Sequence, residues 1–118
     1  MTLPAAVTQR LCICADDFGM SAGINAAVLD LIARRSLSAT GCLVLREAWP
    51  WGLAALRRVD AARVDVGLHL DLTPPRAPGA EEPGLCPLVL RCYARSMPRA
   101  RLRQTIAEQL SRVEEGLG

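Results

Sequence analysis

The sequence predicts an α/β fold in which short parallel strands alternate with helices, and two observations support this prediction. Short apolar runs are separated by stretches in which apolar residues return at the spacing of an amphipathic helix. The resulting order of strand, helix, strand, helix and strand favours right-handed crossovers and a parallel sheet. With 118 residues, 51% of them hydrophobic, the chain has the composition of one globular domain at most.

The first strand is predicted over residues 10–15, a continuous apolar run of the kind that a parallel sheet buries on both faces. A helix follows, with Ser21 as its N-cap, and extends to about residue 35. The apolar stripe of this helix consists of Ile24, Ala27, Val28, Leu31 and Ile32.

Residues 37–45 form the second predicted strand, and residues 64–72 form the third. Between them, residues 49–59 are predicted to be a short helix. Its first turn contains Pro50, where the missing N–H of proline is no loss. Residues 73–87 are rich in proline, glycine and acidic residues and predict a long loop.

Two further helices are predicted over residues 88–96 and 99–115, and Gly116 and Gly118 should end the second. The apolar face of the second helix consists of Leu102, Ile106, Leu110, Val113 and Leu117. Because a parallel sheet normally continues from a helix to another strand, three strands leave an unpaired edge. We therefore expect residues 1–118 to be a single, incomplete domain. Its edge is either continued by a larger fold or covered by a second copy in a homo-oligomer.

The charged and sulfur-containing residues limit the possible functions. All 14 basic residues are arginine, which excludes the lysine of a P-loop or of a Schiff-base enzyme. A net charge of +2 gives no indication of nucleic-acid binding, and no apolar run approaches the ~20 residues of a membrane span. Five cysteines without an export signal predict reduced thiols in a cytoplasmic protein, with Cys12 and Cys14 buried on the first strand.

Three ionisable side chains are predicted to lie at one rim of the sheet. Asp16 and Asp17 follow the first strand, and His69 lies near the end of the third. Parallel α/β folds bind ligands at the carboxyl ends of their strands, so these side chains should meet there. A lone histidine is more often structural, but adjacent carboxylates need a compensating cation or proton. One carboxylate and one imidazole suit zinc or another divalent transition metal, with Asp71 or the Cys14 thiolate as a further candidate ligand.

Three segments of the chain form a specific combination. They are Ala15-Asp16-Asp17-Phe18-Gly19-Met20-Ser21 with Gly23 and Asn25, Leu37-Ser38-Ala39-Thr40, and Val66-Gly67-Leu68-His69-Leu70-Asp71-Leu72-Thr73. In their order and spacing, over nearly its whole length, the chain resembles the YdjC/ChbG-type carbohydrate deacetylases. The resemblance implies that this chain is the N-terminal part of a distorted TIM-like (β/α) barrel. It also implies a hydrolase that removes N-acetyl groups from amino sugars such as chitooligosaccharides.

The resemblance further implies roles for the rim residues. Asp17 and His69 correspond to two ligands of a divalent metal, magnesium or zinc, and Asp16 to the base that deprotonates the attacking water. A metal lowers the pKa of its water and polarises the amide carbonyl, as hydrolysis of an acetamide requires. The family takes its third ligand from a histidine-rich strand. His69 is the only histidine here, so that ligand is expected beyond Gly118.

Other interpretations stay open. The same motifs occur in deacetylases of lipid-linked amino sugars such as hopanoid precursors. The chain is alternatively an inactive fragment, or an interaction module that uses its exposed sheet edge. A receiver-type phosphotransfer domain also begins with an acidic pair, and Asp71 would suit its phosphoacceptor position, but such a domain needs the lysine that this sequence lacks.

Overall fold

The computed structural model describes residues 9–73 and 84–118, which form an α/β arrangement. In this part of the chain three parallel strands lie in the order β1-β2-β3, so that β2 is central. The strands are β1 (Cys14–Phe18), β2 (Ala39–Cys42) and β3 (Asp65–Leu68). The helices are α1 (Ala22–Ala33), α2 (Trp49–Leu56), α3 (Leu85–Tyr93) and α4 (Arg99–Leu117). The predicted fold class is confirmed, and the arrangement is consistent with part of a β/α barrel.

The start of α1 follows its sequence signal. Ser21 is the N-cap, and its hydroxyl accepts a hydrogen bond from the backbone N–H of Ile24 at 3.2 Å. On the inner side of the helix Val28 and Ile32 are buried against the sheet. The same core contains Phe18, Cys42, Val44, Trp49, Leu56 and Val64. The predicted apolar stripe of α1 is therefore confirmed for Ile24, Val28 and Ile32 but is wrong for Ala27 and Leu31, which are exposed.

The opposite face of the sheet is uncovered in the described part of the chain. Along β1 the side chains of Cys14 and Asp16 are exposed, whereas Phe18 is buried. On β3 both Asp65 and Gly67 are exposed, and a Cβ added to Gly67 would meet no atom within 4 Å beyond its chain neighbours. The prediction that the first strand is buried on both faces is therefore wrong, because only one face of β1 has helices packed on it.

The exposure of the cysteines also differs between the covered and the uncovered parts of the sheet. Cys12 and Cys14 are exposed, contrary to their predicted burial, since they belong to the segment that leads into and forms β1. Cys42 lies on the central strand and is fully buried. This burial is the main cause that raises the pKa of Cys42 to about 12, and the negative charge of the Cys14 thiolate adds to it.

The first strand is displaced from its predicted position, and the third is shorter than predicted. β1 begins at Cys14 and contains the acidic pair, whereas the sequence placed the pair after the strand. β3 ends at Leu68, so His69 and Asp71 lie in the segment that follows the strand. Alternation along a strand therefore does not relate the directions of these two side chains.

The predicted loop over residues 73–87 is too long at its C-terminal end. α3 begins at Leu85, so Pro87 lies in the first helical turn, where its ring has no preceding helical carbonyl to clash with. Residues 74–83 of that loop lie outside the described residues. α3 itself contains no buried residue, and Leu90 and Tyr93 are 70% and 86% exposed.

The inward face of α4 differs from the predicted apolar face. Leu110 is 45% exposed, whereas the neighbouring Gln109 is completely buried. Gly116, predicted to stop the helix, lies inside it, and a Cβ at this position would come within 3.2 Å of Leu53 on α2. Arg57 donates a hydrogen bond from Nε to the Gly116 carbonyl at 2.8 Å. The C-terminal end of α4 therefore contacts α2 at Leu53 and the following Arg57, and the buried amide of Gln109 lies toward the segment after β3.

Within residues 9–73 and 84–118, no helix combines the length and apolar composition needed to cross a bilayer.

Candidate active site

The acidic pair, Asp16 and Asp17, forms a β-bulge in β1 where this strand pairs with β2. Ala15 pairs with Thr40, and Phe18 pairs with Cys42, so two residues of β1 lie opposite one residue of β2. Those two residues are Asp16 and Asp17, and the single residue opposite them is Gly41. A bulge interrupts the alternation of side chains and bends the strand. Both carboxylates therefore reach the carboxyl edge of the sheet.

Asp17 has a strained backbone within this bulge. Its φ of 65° lies in the left-handed region, which non-glycine residues rarely occupy, although aspartate tolerates it better than most. Such a conformation costs of order 1–3 kcal/mol and persists only where surrounding contacts impose it. The hydrogen bond from the Leu43 N–H to the Phe18 carbonyl, at 2.7 Å, restores the pairing beyond the bulge.

Gly41 provides the space in which Asp16 of β1 and His69, which follows β3, approach each other. A Cβ added there would lie 3.1 Å from Asp16 Oδ1 and 3.3 Å from the Cβ of His69. The absence of a side chain therefore allows the carboxylate and the base of the imidazole to meet over β2. Sequence reasoning did not identify this position. A glycine in the middle of a strand is the signal that indicates it, because such glycines often permit close approach of another group.

His69 lies beside the second carboxylate of the pair. Its backbone N–H donates to the Cys42 carbonyl at 3.0 Å, which continues the ladder one residue past β3. Its Nδ1 lies 3.4 Å from Asp17 Oδ1 and 3.4 Å from the Asp17 backbone N–H nitrogen. The side chains of His69 and Asp17 are 36% and 45% exposed. Because both are this accessible, their mutual attraction is screened by water and contributes little to stability.

The geometry of this pair fits two ligands of one divalent cation. Ligand atoms bound about 2.0–2.1 Å from one ion are separated by roughly 3–3.4 Å at the octahedral and tetrahedral angles. The observed separation of Asp17 Oδ1 and His69 Nδ1, 3.4 Å, falls at the upper end of that range. Asp16 Oδ1 lies on the same side of β2, over Gly41. The structure therefore brings together the three predicted site residues, two of them at ligand spacing.

Neither candidate for a further ligand joins them. Among residues 9–73 and 84–118, no group of three or more histidine, cysteine, aspartate or glutamate side chains is arranged to hold a metal ion. The Cys14 thiol lies near the Ala15 carbonyl, at 3.7 Å. The carboxylate of Asp71 accepts hydrogen bonds from other residues, Arg46 and Thr73.

Asp71 is a buried structural acid. Its Oδ2 lies 2.7 Å from Arg46 Nε, and the side chains of Asp71 and Arg46 are only 6% and 11% exposed. Its Oδ1 accepts hydrogen bonds from the backbone N–H and the hydroxyl of Thr73, at 2.8 and 3.1 Å. A carboxylate with this many donors is neutralised within the protein, so Asp71 is not a candidate ligand for a metal.

The space beside the pair is an open cavity of about 350 Å³ that includes Asp17 and His69 together with Met20, Leu43 and Leu70. A larger cavity of about 490 Å³ lies between α3 and α4. None of the three site residues borders it. We assign the site to the smaller cavity because Asp17 and His69 border it. A catalytic site is defined by its reactive side chains and not by the size of its cavity.

Asn25 supports the bulge from α1 and is a second residue whose role the sequence did not reveal. It is completely buried, accepts a hydrogen bond from the Gly19 N–H at 2.6 Å, and donates one to the Ala48 carbonyl at 2.9 Å. Gly19 has a φ of 101°, and a Cβ there would lie 2.7 Å from the Leu43 carbonyl oxygen. Asn25 therefore fixes the tight turn that follows the acidic pair.

The fold and this site describe an α/β protein with a carboxylate–imidazole pair at the carboxyl edge of its sheet. A family model described as YdjC-like protein matches residues 10–118. The chain belongs to the YdjC-like family, which is related to carbohydrate deacetylases and is generally metal-dependent. No curated protein and no solved structure matches the chain.

Proposed function

We propose that this chain carries the N-terminal part of the active site of a metal-dependent deacetylase, which hydrolyses N-acetyl groups of amino sugars. Membership of the YdjC-like family supports the class of reaction. The observation that carries the proposal is the 3.4 Å separation of Asp17 Oδ1 and His69 Nδ1 beside an open cavity. These two residues are the proposed metal ligands.

Each residue at the rim has a separate part in the proposed reaction. Asp17 and His69 hold the cation, which, when bound, supplies Lewis acidity toward a water molecule and the acetamide carbonyl. Asp16 accepts the proton of the attacking water, since its Oδ1 lies over Gly41 on the same side of β2 as the Cβ of His69. Hydrolysis breaks the amide C–N bond and yields acetate and a free amine.

The identity of the cation follows from the donor atoms only in part. One imidazole nitrogen and one carboxylate oxygen favour zinc or another transition metal, whereas magnesium prefers oxygen ligands and retains several waters. Zinc is therefore our first choice and magnesium the second. Catalytic zinc normally takes three protein ligands, so we expect one ligand in addition to Asp17 and His69.

The proposed substrate is an acetylated chitooligosaccharide, with a lipid-linked amino sugar as the alternative. The open cavity beside His69 is bordered by Met20, Leu43 and Leu70, apolar side chains on which a sugar ring can rest. Its open form suits a substrate whose acetylated end enters while the rest of the molecule extends outward. The cytoplasmic location predicted from the cysteines stays a prediction.

A second candidate function is an interaction module, and the uncovered sheet face favours it. Asp65 and Gly67 of β3 are exposed together with Cys14 and Asp16 of β1. A second copy of the chain or another chain would cover this face by packing on it, and would extend the sheet by pairing with β1 or β3, the edge strands among the described residues. Sedimentation analysis tests this candidate, because a homo-oligomer is expected if copies of the chain cover one another's edges.

Acetate release from diacetylchitobiose, measured with and without added Zn²⁺, tests the proposed reaction on this chain and on a form extended past Gly118. We expect Asp16→Asn to abolish activity and to leave Zn²⁺ affinity nearly unchanged, whereas Asp17→Asn weakens Zn²⁺ binding at least tenfold. Asp65→Asn is the matched control, because Asp65 is exposed on the same open sheet face but at the other end of β3. Full activity of Asp17→Asn in the extended form would contradict the proposal.

A further inference from the structure

The side chain of Gln109 forms two hydrogen bonds with the backbone of Asp71, two residues after the candidate metal ligand His69. Its Oε1 accepts a hydrogen bond from the Asp71 backbone N–H at 2.8 Å, and its Nε2 donates to the Asp71 carbonyl at 2.7 Å. Gln109 is completely buried in α4. One amide therefore bonds both the donor and the acceptor of a single residue, as a neighbouring strand would.

This pairing occurs where the sheet no longer fixes the backbone. The last ladder bond of β3 is the one from the His69 N–H to the Cys42 carbonyl. Leu70, the next residue, is 40% exposed. Asp71 is then held from α4. The backbone of His69 consequently lies between two fixed points, one made by β2 and the other by Gln109.

The side chain of Asp71 adds a third attachment to the same segment. Its carboxylate lies 2.7 Å from Arg46 Nε and accepts the Thr73 N–H at 2.8 Å. Among the described residues, no buried side-chain nitrogen or oxygen lacks a hydrogen-bond partner. A fully satisfied buried network of this kind rigidifies the backbone that it joins.

The position of the glutamine is not explained by packing alone. Ile106 and Val113 flank it at helical spacing on the inward side of α4, so an apolar residue at 109 would continue their stripe. A buried amide is costly unless its hydrogen bonds are made. Here both the donor and the acceptor of the Gln109 amide bond to the backbone of Asp71. This indicates that the glutamine serves to orient the segment from His69 to Asp71.

We propose that Gln109 is a positioning residue for His69, acting through the backbone of Asp71. The inference rests on the proposed role of His69 as a metal ligand. In this arrangement α4 contributes no atom to the candidate metal site, yet it determines how firmly the imidazole is held opposite Asp17. Loss of the Gln109 amide should therefore loosen His69 while every group at the site remains present.

Gln109→Met, in the full chain, tests this directly, and Gln104→Met is the matched control because Gln104 lies on the same helix and is exposed. His69 is the only histidine, so one set of imidazole resonances reports on it in an NMR spectrum. We expect Gln109→Met to shift and broaden these resonances and to speed hydrogen exchange of the Asp71 amide at least tenfold. Affinity for Zn²⁺ alone, measured by calorimetry, should fall by roughly tenfold or more. Gln104→Met should leave all three unchanged.

The outcomes separate this inference from the proposed function. A folded Gln109→Met with unchanged imidazole resonances and unchanged Asp71 exchange overturns the positioning role. If the wild type binds no Zn²⁺ but Gln109→Met still alters the imidazole resonances, the metal site is wrong and the positioning role stands. If Gln109→Met does not fold, hydrogen exchange of the Asp71 amide in the wild-type protein tests the inference instead. A slowly exchanging Asp71 amide supports the contact with Gln109, and one that exchanges as an unprotected amide refutes it.

Discussion

Asp17 and Asp71 both lie at the carboxyl edge of the sheet, and both are close in sequence or space to His69, but their surroundings differ. The Asp71 carboxylate is buried and receives hydrogen bonds from Arg46 and Thr73. The Asp17 carboxylate is 45% exposed, and its near partner is the half-exposed imidazole of His69. Its backbone is also in the left-handed region. The protein itself neutralises one carboxylate and leaves the other accessible to a cation.

The difference indicates which acid serves the fold and which serves a ligand. Removing a buried carboxylate that is paired with arginine destabilises the native state strongly, because the buried arginine charge loses that counter-charge. An exposed carboxylate held in a strained backbone contributes little or even opposes folding. Substitutions at these positions and at Gly41 test this comparison.

The largest effect is expected at Asp71. Asp71→Ala removes the carboxylate that lies 2.7 Å from Arg46 and should lower the free energy of unfolding by about 3–5 kcal/mol. Urea denaturation measures it. Asp65→Ala is the control, since this exposed carboxylate of β3 should change stability by no more than about 0.5 kcal/mol. A loss below about 1 kcal/mol at Asp71 would show that its network does not stabilise the fold.

A smaller effect is expected at Gly41, over which Asp16 and His69 approach each other. The added Cβ of Gly41→Ala would lie 3.1 Å from Asp16 Oδ1 and 3.3 Å from the Cβ of His69, so neighbouring groups must move. We expect a loss of about 1–3 kcal/mol and weaker Zn²⁺ binding. Gly67→Ala on the adjacent strand has open space around its Cβ and should be neutral or slightly stabilising. Equal behaviour of the two variants would contradict the close approach over Gly41.

Substitution of Asp17 should have almost no effect on stability. Asn tolerates the left-handed backbone, and Asp17→Asn removes a charge next to Asp16. The expected change in the free energy of unfolding is within about 0.5 kcal/mol, of either sign. The same urea titration used for Asp71→Ala measures it. A loss as large as that of Asp71→Ala would mean that Asp17 is a structural acid as well.

The remaining prediction concerns the pH dependence of stability at Cys42, which distinguishes the covered sheet face from the open one. The unfolded chain ionises this thiol near pH 9.0, whereas burial keeps the folded protein protonated until the pKa of about 12. Its contribution to stability is therefore complete below pH 9 and is lost as the pH rises toward 12. Unfolding of Cys42→Ala should depend less steeply on pH in that window. Iodoacetamide at pH 8.5 should label Cys12 and Cys14 but not Cys42 in the native protein.

Apolar periodicity was sufficient for the fold class, for α1 and for the order of the elements, because these depend on local spacing. The Ser21 N-cap is confirmed by its hydrogen bond to the Ile24 N–H. Burial was less predictable, and Cys12 and Cys14 were assigned to the wrong environment. An apolar run does not reveal whether a strand has packed neighbours on one face or two.

The predicted site depended on the order of the parallel strands. The predicted order is observed, and it places Asp16, Asp17 and His69 at one edge of the sheet. Their roles as base and ligands stay proposals. The partners of Asp71 were not predictable, since Arg46 and Gln109 lie 25 and 38 residues from it in the chain. Side-chain pairing over such separations leaves no periodic signal in the sequence.

By itself the sequence determined that acidic residues and the single histidine lie at the carboxyl ends of parallel strands, because strand order and crossover hand follow from local patterns. Only the tertiary structure decided how these residues are held. The bulge opposite Gly41 turns both carboxylates toward His69, and the buried amide of Gln109 fixes the segment that carries the histidine. Both features arise from contacts between distant parts of the chain, so they emerge only when the strands and α4 have packed together.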